Sequence, residues 1–367
     1  VVAGGRITSL DGLRGVAAVL VVAGHARLVI AQTQSAPTGP LRPLSDLLGA
    51  WGGHAVWLFF VLSGLVLSRM LIQRSDLDYG RYVLARVARL YIPVIGAVVF
   101  AFVMILLFPR NGTDIGPWVQ SHPRVYEPWA VLSDMTLISG TTSNLSPLWS
   151  LRWEVLFSLL LVLYVTAARR IPWYVTVGLS IVAATIGDVI DSSLLFYMAM
   201  FAIGTGLAYG WDRISRFTLR GWVSGAAATV LVLVCVAAQG IGQLTPHLPI
   251  GTRTATALGT VVSLAALTAL IVIIPMTPVA HAFNSRPIQW LGTISFSLYL
   301  VHEPVLLAFV YTSRADPMWV WIGAAVSLPV AYLFYLLVER HAHRLAKRIS
   351  TRRSERNPGP LESSSTH

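Results

Sequence analysis

Residues 223–242 read VSGAAATVLVLVCVAAQGIG, and residues 255–274 read ATALGTVVSLAALTALIVII. Neither stretch carries a charge, and apolar side chains fall on every face. A membrane strand would alternate polar and apolar residues over roughly ten positions. A helix that is apolar all round sits in lipid or deep in a core, and about 20 residues suffice to cross the hydrocarbon layer. The whole chain decides for lipid. Of its 367 residues 55% are hydrophobic and only 12% charged, with mean hydropathy +0.67; soluble domains carry about 25% charge.

Working outward from those two stretches, helices are expected near 10–30, 50–72, 90–108, 147–167, 172–188, 194–211, 221–239, 255–275, 290–311 and 318–339. The fold class is therefore all-α, a polytopic transmembrane bundle of about ten spans. Residues 1–348 form the membrane domain, and the polar tail 349–367 is expected to be disordered and cytoplasmic. The early run GVAAVLVVAG (15–24) is read as a span and not a signal peptide, because Asp11 and Arg14 precede it, His25 follows it, and no small-residue cleavage site comes after. The long connection 109–146 is expected to form a small cap.

The net charge of +11 looks like a nucleic-acid signal, but it follows loop topology. With the N-terminus in the cytoplasm, most of the 27 Lys and Arg lie on the inner side, and the outer segments hold Arg42, Arg110, Arg124, Arg253 and Arg314. Positive residues favour the cytoplasmic side. Both termini are thus expected inside, with membrane lipid and not nucleic acid as the partner of the basic surface. The single Cys235, inside an apolar run, excludes an intrachain disulfide framework and a multi-Cys zinc site; no metal is expected. GxxxxGK[ST], HExxH and GxSxG are all missing from the sequence.

Ionisable residues inside spans are costly and mark function. Arg14 and His25 are eleven residues apart, close to three helical turns, so they share a face about 16 Å apart along the axis. A neutral histidine deep in the first span can act as a base; the bland alternative is a ring satisfied by a neighbouring hydroxyl or carbonyl. Glu154 in SPLWSLRWEVLF needs a buried partner, His25 or Arg152. Arg86 and Arg89 share a helix face at the inner edge and suit phosphate, although positive-inside decoration explains them as well. Ser63 belongs to a Ser63-Gly64 pair whose simplest use is close helix packing, with a polar contact in the site as the second reading. Tyr299 and His302 lie three apart in SFSLYLVHEPVL, where Glu303 and Pro304 suggest a local break.

Taken in order, SLDGLRGVAAVLVVAGH, WLFFVLSGLVL, RVARLYIP, LWSLRWEVLF, ISFSLYLVHEPVL and a closing VER resemble the acyltransferase 3 family of bacterial membrane O-acyltransferases, over about residues 8 to 340. The resemblance implies a bacterial cytoplasmic-membrane enzyme with acyl-CoA as donor. It also implies a hydroxyl acceptor on a glycan, glycolipid or glycosylated small molecule. By that resemblance His25 is the catalytic base, Arg14, Arg86 and Arg89 hold the donor, and Glu154 matches the WSLxxE glutamate. Tyr299 and His302 match the late Tyr-x-x-His element. Two positions depart from the pattern: Trp57 stands where an acidic residue is common, and Ser158 where a tyrosine is. The hydrolase-like extension of some relatives is not found in these residues. The expected mechanism is direct transfer, with His25 taking the acceptor proton and Glu154 orienting the imidazole, and Ser63, Arg152, Tyr299 and His302 lining the substrate path. A transporter or flippase for acylated lipid or glycan precursors is the rival, since intramembrane His, Glu and Arg serve it equally well.

Overall fold

A computed structural model describes residues 7–33, 42–73, 78–111, 115–138, 140–216, 222–241 and 251–351. Among them every regular element is helical. The long helices are α1 (Thr8–Gln32), α2 (Arg42–Ile72) and α3 (Tyr79–Leu107). After two short helices, α4 (Pro117–Gln120) and α5 (Pro128–Thr136), come α6 (Leu148–Ala168), α7 (Trp173–Val189), α8 (Ser193–Ile214), α9 (Trp222–Ile241) and α10 (Thr252–Ile273). The chain closes with α11 (Val279–Phe283), α12 (Arg286–Ser313), α13 (Pro317–Phe334) and α14 (Arg340–Thr351). Among the described residues eight helices are long and apolar enough to cross a membrane, and α7 and part of α9 add shorter apolar stretches. The ten expected spans correspond to these elements.

The differences from expectation have local causes. α3 starts near 79 and not 90, because the Asp78 carboxylate caps it by accepting the Arg81 N–H at 3.2 Å; the arginines therefore lie within the helix. The break expected at Glu303-Pro304 does not occur, and α12 runs through Pro304. A proline inside a membrane helix is tolerated where neighbouring helices hold it, and Leu298 to Ala308 are buried throughout. The last span passes through a π-helical turn at Tyr335–Glu339 into α14, so the helix reaches Thr351. Most of the tail expected from 349 lies outside the described residues.

Two glycine contacts set the frame of the site. α1 packs on α12, and a β-carbon on Gly15 would collide with the backbone of Leu291 and Gly292. α2 packs on α8, where one on Gly204 would meet the Val61 carbonyl, and one on Gly64 the Phe201 carbonyl. Small residues let membrane helices approach this closely. The packing use of Gly64 therefore holds, while its neighbour Ser63 turns to the site.

The 109–146 connection does form a cap, built from α4, α5 and their loops. Gly116 takes φ +102°, and its missing side chain leaves room for Gln32, whose Oε1 accepts the Trp118 N–H at 2.8 Å. Buried Arg110 donates to the carbonyls of Pro123 (2.9 Å) and Asn144 (3.1 Å). Asp134 accepts from the Tyr126 hydroxyl (2.6 Å) and from Thr142 N–H (2.6 Å) and hydroxyl (2.7 Å). Burial holds the Asp134 carboxyl above its ordinary value, against the pull of those hydrogen bonds.

Candidate active site

A cleft of about 420 Å³, partly open, lies between α1, α2, α6 and α12. Arg14, Phe59, Ser63, Ser150, Glu154 and Tyr299 are on its wall. Ser63 donates to Glu154 Oε1 at 3.3 Å. The Arg86 guanidinium pairs directly with the same carboxylate oxygen through Nη2 and donates from Nε to Ser158 Oγ at 3.1 Å. Ser158 Oγ in turn donates to the Glu154 carbonyl at 2.7 Å. The serine that departs from the family pattern is thus part of the arginine clamp.

Glu154 was expected to meet His25 or Arg152. Its partners are Arg86 and Ser63 instead, because α3 presents Arg86 to α6 at that level. Arg86 is correspondingly committed to a carboxylate. Arg89, one turn further, feels the charges of Arg86, Arg14, Glu339 and Glu154. This end of the bundle therefore gathers three guanidinium groups against two carboxylates. The Nε of Arg14 is buried without a hydrogen-bond partner among the described residues. Glu339, from the closing VER, accepts from the Ser297 N–H (3.1 Å) and hydroxyl (2.5 Å).

His25 finds its partner on α12. Its Nδ1 lies 3.1 Å from His302 Nε2. His302 is fully enclosed, and its Nδ1 faces the carbonyls of Leu298 (3.0 Å) and Tyr299 (2.9 Å). A carbonyl only accepts, so that nitrogen carries the His302 proton. In the neutral ring Nε2 is then bare and accepts from His25 Nδ1–H. Neutral His25 is left with its lone pair on Nε2, and its ring is only half-buried. Expected to touch substrate, His302 instead sits behind His25. Tyr299 does line the cleft; its hydroxyl bonds Ser150 Oγ at 2.7 Å and the Pro147 carbonyl at 3.1 Å. Arg152 points elsewhere: it is exposed, with its guanidinium carbon 4.5 Å from the Trp153 ring centre.

Several residues around His25 were not legible beforehand. Trp118 of the cap packs its ring 5.2 Å from His25 and 4.5 Å from His122. Fully buried Glu303 accepts from the Ser146 N–H at 2.7 Å and from its hydroxyl, and lies 3.3 Å from His122 Nε2. The sequence offered Glu303 as one of the few ionisable residues inside a span and as the mark of a break, without a partner for it, and His122 lies in a connection with no periodicity to place it. Among the described residues no three of His, Cys, Asp and Glu gather in a way that could hold a metal ion.

The structure is thus a polytopic helical bundle with Arg14 on the wall of a cleft at one level and a histidine pair at another. The acyltransferase domain model (acyltransferase 3) matches residues 7–336, and the chain belongs to that family. It is similar to the peptidoglycan O-acetyltransferase OatA of Listeria monocytogenes, 24% identical over 366 residues that cover 91% of this chain and 55% of that protein. It is also similar to the O-acetyltransferase PaAT-1 of Phomopsis amygdali, 25% identical, covering 81% of this chain and 71% of that one. YrhL of Bacillus subtilis is 25% identical, covering 91% and 54%. The chain thus spans about half the length of its two bacterial relatives. No solved structure matches it.

Proposed function

We propose that the chain is a membrane O-acyltransferase that moves a short acyl group, acetyl or a close homologue, from acyl-CoA to a hydroxyl of a carbohydrate, glycolipid or glycosylated small molecule. The observation that carries this reading is the hydrogen-bond chain from the Leu298 and Tyr299 carbonyls through His302 to His25, which leaves a base lone pair on a partly accessible ring. Family membership and the names of the relatives support the reaction class. The three relatives named as O-acetyltransferases favour acetyl, and OatA and YrhL, both named for peptidoglycan, favour a glycan acceptor.

In the proposed reaction Arg14 and Arg89 hold the donor phosphates at the inner mouth, with Arg86 held by Glu154 and lending its charge. Guanidinium groups suit phosphate oxygens, and the unpartnered Arg14 Nε supports a ligand there. The pantetheine arm occupies the cleft past Ser63 toward Tyr299. His25 Nε2 takes the proton of the acceptor hydroxyl, and the oxygen attacks the thioester carbonyl. The carbon–sulfur bond breaks as the ester forms, and the coenzyme A sulfur receives the proton from His25. His302 fixes the tautomer and the ring plane. The protein works in the bacterial cytoplasmic membrane with both termini inside, as the distribution of arginine supports.

Purified protein given acetyl-CoA and solubilised glycan should release free thiol and add one acetyl mass to the acceptor. His25→Ala should lower that rate about 10²–10⁴-fold while the protein still inserts and folds. Wild-type turnover by that variant would remove His25 from the chemistry. Transport of acylated material without thiol release would favour the transporter reading.

A further inference from the structure

We propose that Glu303 and His122 are positioning residues for His25, supplying the negative charge and the fixed ring wall that the imidazole needs when it takes a proton. The inference rests on the reading of His25 as the base, and it gives a role to Glu303 and to a cap residue that the resemblance did not assign.

The first ground is cost. Glu303 is fully enclosed in the middle of a membrane-spanning helix. A carboxylate there is expensive even when paired, and an apolar residue would pack the site at less cost. Its partners are nevertheless complete. Oε1 takes the Ser146 N–H, Oε2 takes the Ser146 hydroxyl, and the His122 ring stands 3.3 Å away in an ion-pair contact rather than an aligned hydrogen bond. The His122 Nδ1 donates to the Trp118 carbonyl at 2.8 Å. Both ring nitrogens thus face acceptor oxygens.

The second ground is what the pair holds. Ser146, His122 and Trp118 all belong to the cap, so one carboxylate on α12 clamps the cap at two separate places. Between those clamps the Trp118 ring lies against His25, and the Trp118 N–H is fixed from α1 by Gln32. Release of the pair would free the Trp118 carbonyl and the loop bearing its ring.

The third ground is charge. His302, the direct partner, has a bare Nε2 and neutral geometry, so it orients His25 without balancing a new positive charge. Glu303 lies 3.3 Å from His122 Nε2, and the His122 ring packs on the Trp118 ring that lies against His25, so the carboxylate belongs to the same enclosed cluster. Glu303 directly follows His302, the partner of His25, on α12. Preorganised charge of this kind in a water-poor site lowers the barrier without reorganisation. The jobs divide: His302 sets the tautomer, Glu303 sets the field, and His122 ties that field to the wall.

The test compares wild type with Glu303→Gln, Glu303→Asp, His122→Gln and His25→Ala in the full chain, purified in lipid nanodiscs, with acetyl-CoA as donor and solubilised peptidoglycan fragments as acceptor. Glu303→Gln is nearly isosteric and should fold, as a thermal unfolding curve will report. It should lower kcat about 10²-fold with KM for acetyl-CoA unchanged, because the donor cleft is untouched. Glu303→Asp should restore part of kcat, since charge returns. His122→Gln should lower kcat less, because its amide still reaches the carboxylate. Wild-type kcat in Glu303→Gln, with His25→Ala inactive, would overturn this proposal and leave the base intact. An equal loss in Gln and Asp variants, accompanied by a changed KM, would reduce Glu303 to a structural role and overturn it too. Activity in His25→Ala, or no thiol release by wild type, would overturn the reading beneath it.

Discussion

His25 and Glu154 are the two residues on which the chemistry turned, and only one kept its expected neighbour class. A histidine needing a hydrogen-bond partner and a carboxylate needing a buried partner were both readable. Which partner each would meet was not, because periodicity places residues on a face of their own helix and says nothing of rotation between helices. Arg86 took the carboxylate and His302 took the histidine. With side chains of Arg86 and Glu154 only 10% and 14% exposed, Arg86→Ala should cost about 3–5 kcal/mol by leaving a buried carboxylate unpaired. The double variant with Glu154→Ala should recover much of that in a detergent unfolding curve. His302 offers a cleaner functional prediction. Glutamine there can still accept from His25 Nδ1–H through its amide oxygen, whereas leucine cannot. Turnover of acetyl-CoA should survive His302→Gln within about tenfold, and fall about 10²-fold or more in His302→Leu.

At the scale of elements, the helices themselves were the most legible part, because an unbroken apolar run of about 20 residues has few other uses. Their ends were less so. Asp78 lengthened α3 by a capping bond, and α12 passed Pro304 without a break because helices enclose it on all sides. Close approach between α2 and α8 was hinted at by Ser63-Gly64 but could not be assigned to Phe201 and Gly204 in advance. Gly204→Ala should therefore lower the unfolding temperature markedly, since its β-carbon meets backbone of α2 that cannot yield. Gly178→Ala, in α7 with open space around it, should be neutral or stabilising by up to about 1 kcal/mol through helix propensity. Equal effects at the two positions would deny that backbone contact sets the bundle.

For the whole molecule, the two halves of the proposed reaction sit at different levels. The guanidinium cluster and cleft gather around Arg14 and Glu154, while His25 lies beneath the cap, beyond Tyr299. That separation was legible as the eleven-residue spacing from Arg14 to His25. The cap's contribution was not, since Trp118, His122 and Ser146 lie in a connection without period. The account predicts a topology. Single cysteines placed at exposed Ser121 in the cap and at exposed Ser350 at the end of the last helix, in a Cys235→Ser background, should be labelled by an impermeant thiol reagent from opposite sides of the membrane. Labelling of both from one side would refute the arrangement.

The most direct test concerns the proton on one ring. In 15N-histidine-labelled protein, with the His25 signals assigned by their loss in His25→Gln, the neutral His25 ring should carry its proton on Nδ1 and show an unprotonated Nε2 shift. Loss of His302 should change that ratio. A neutral ring with the proton on Nε2, or one indifferent to His302, would contradict the account.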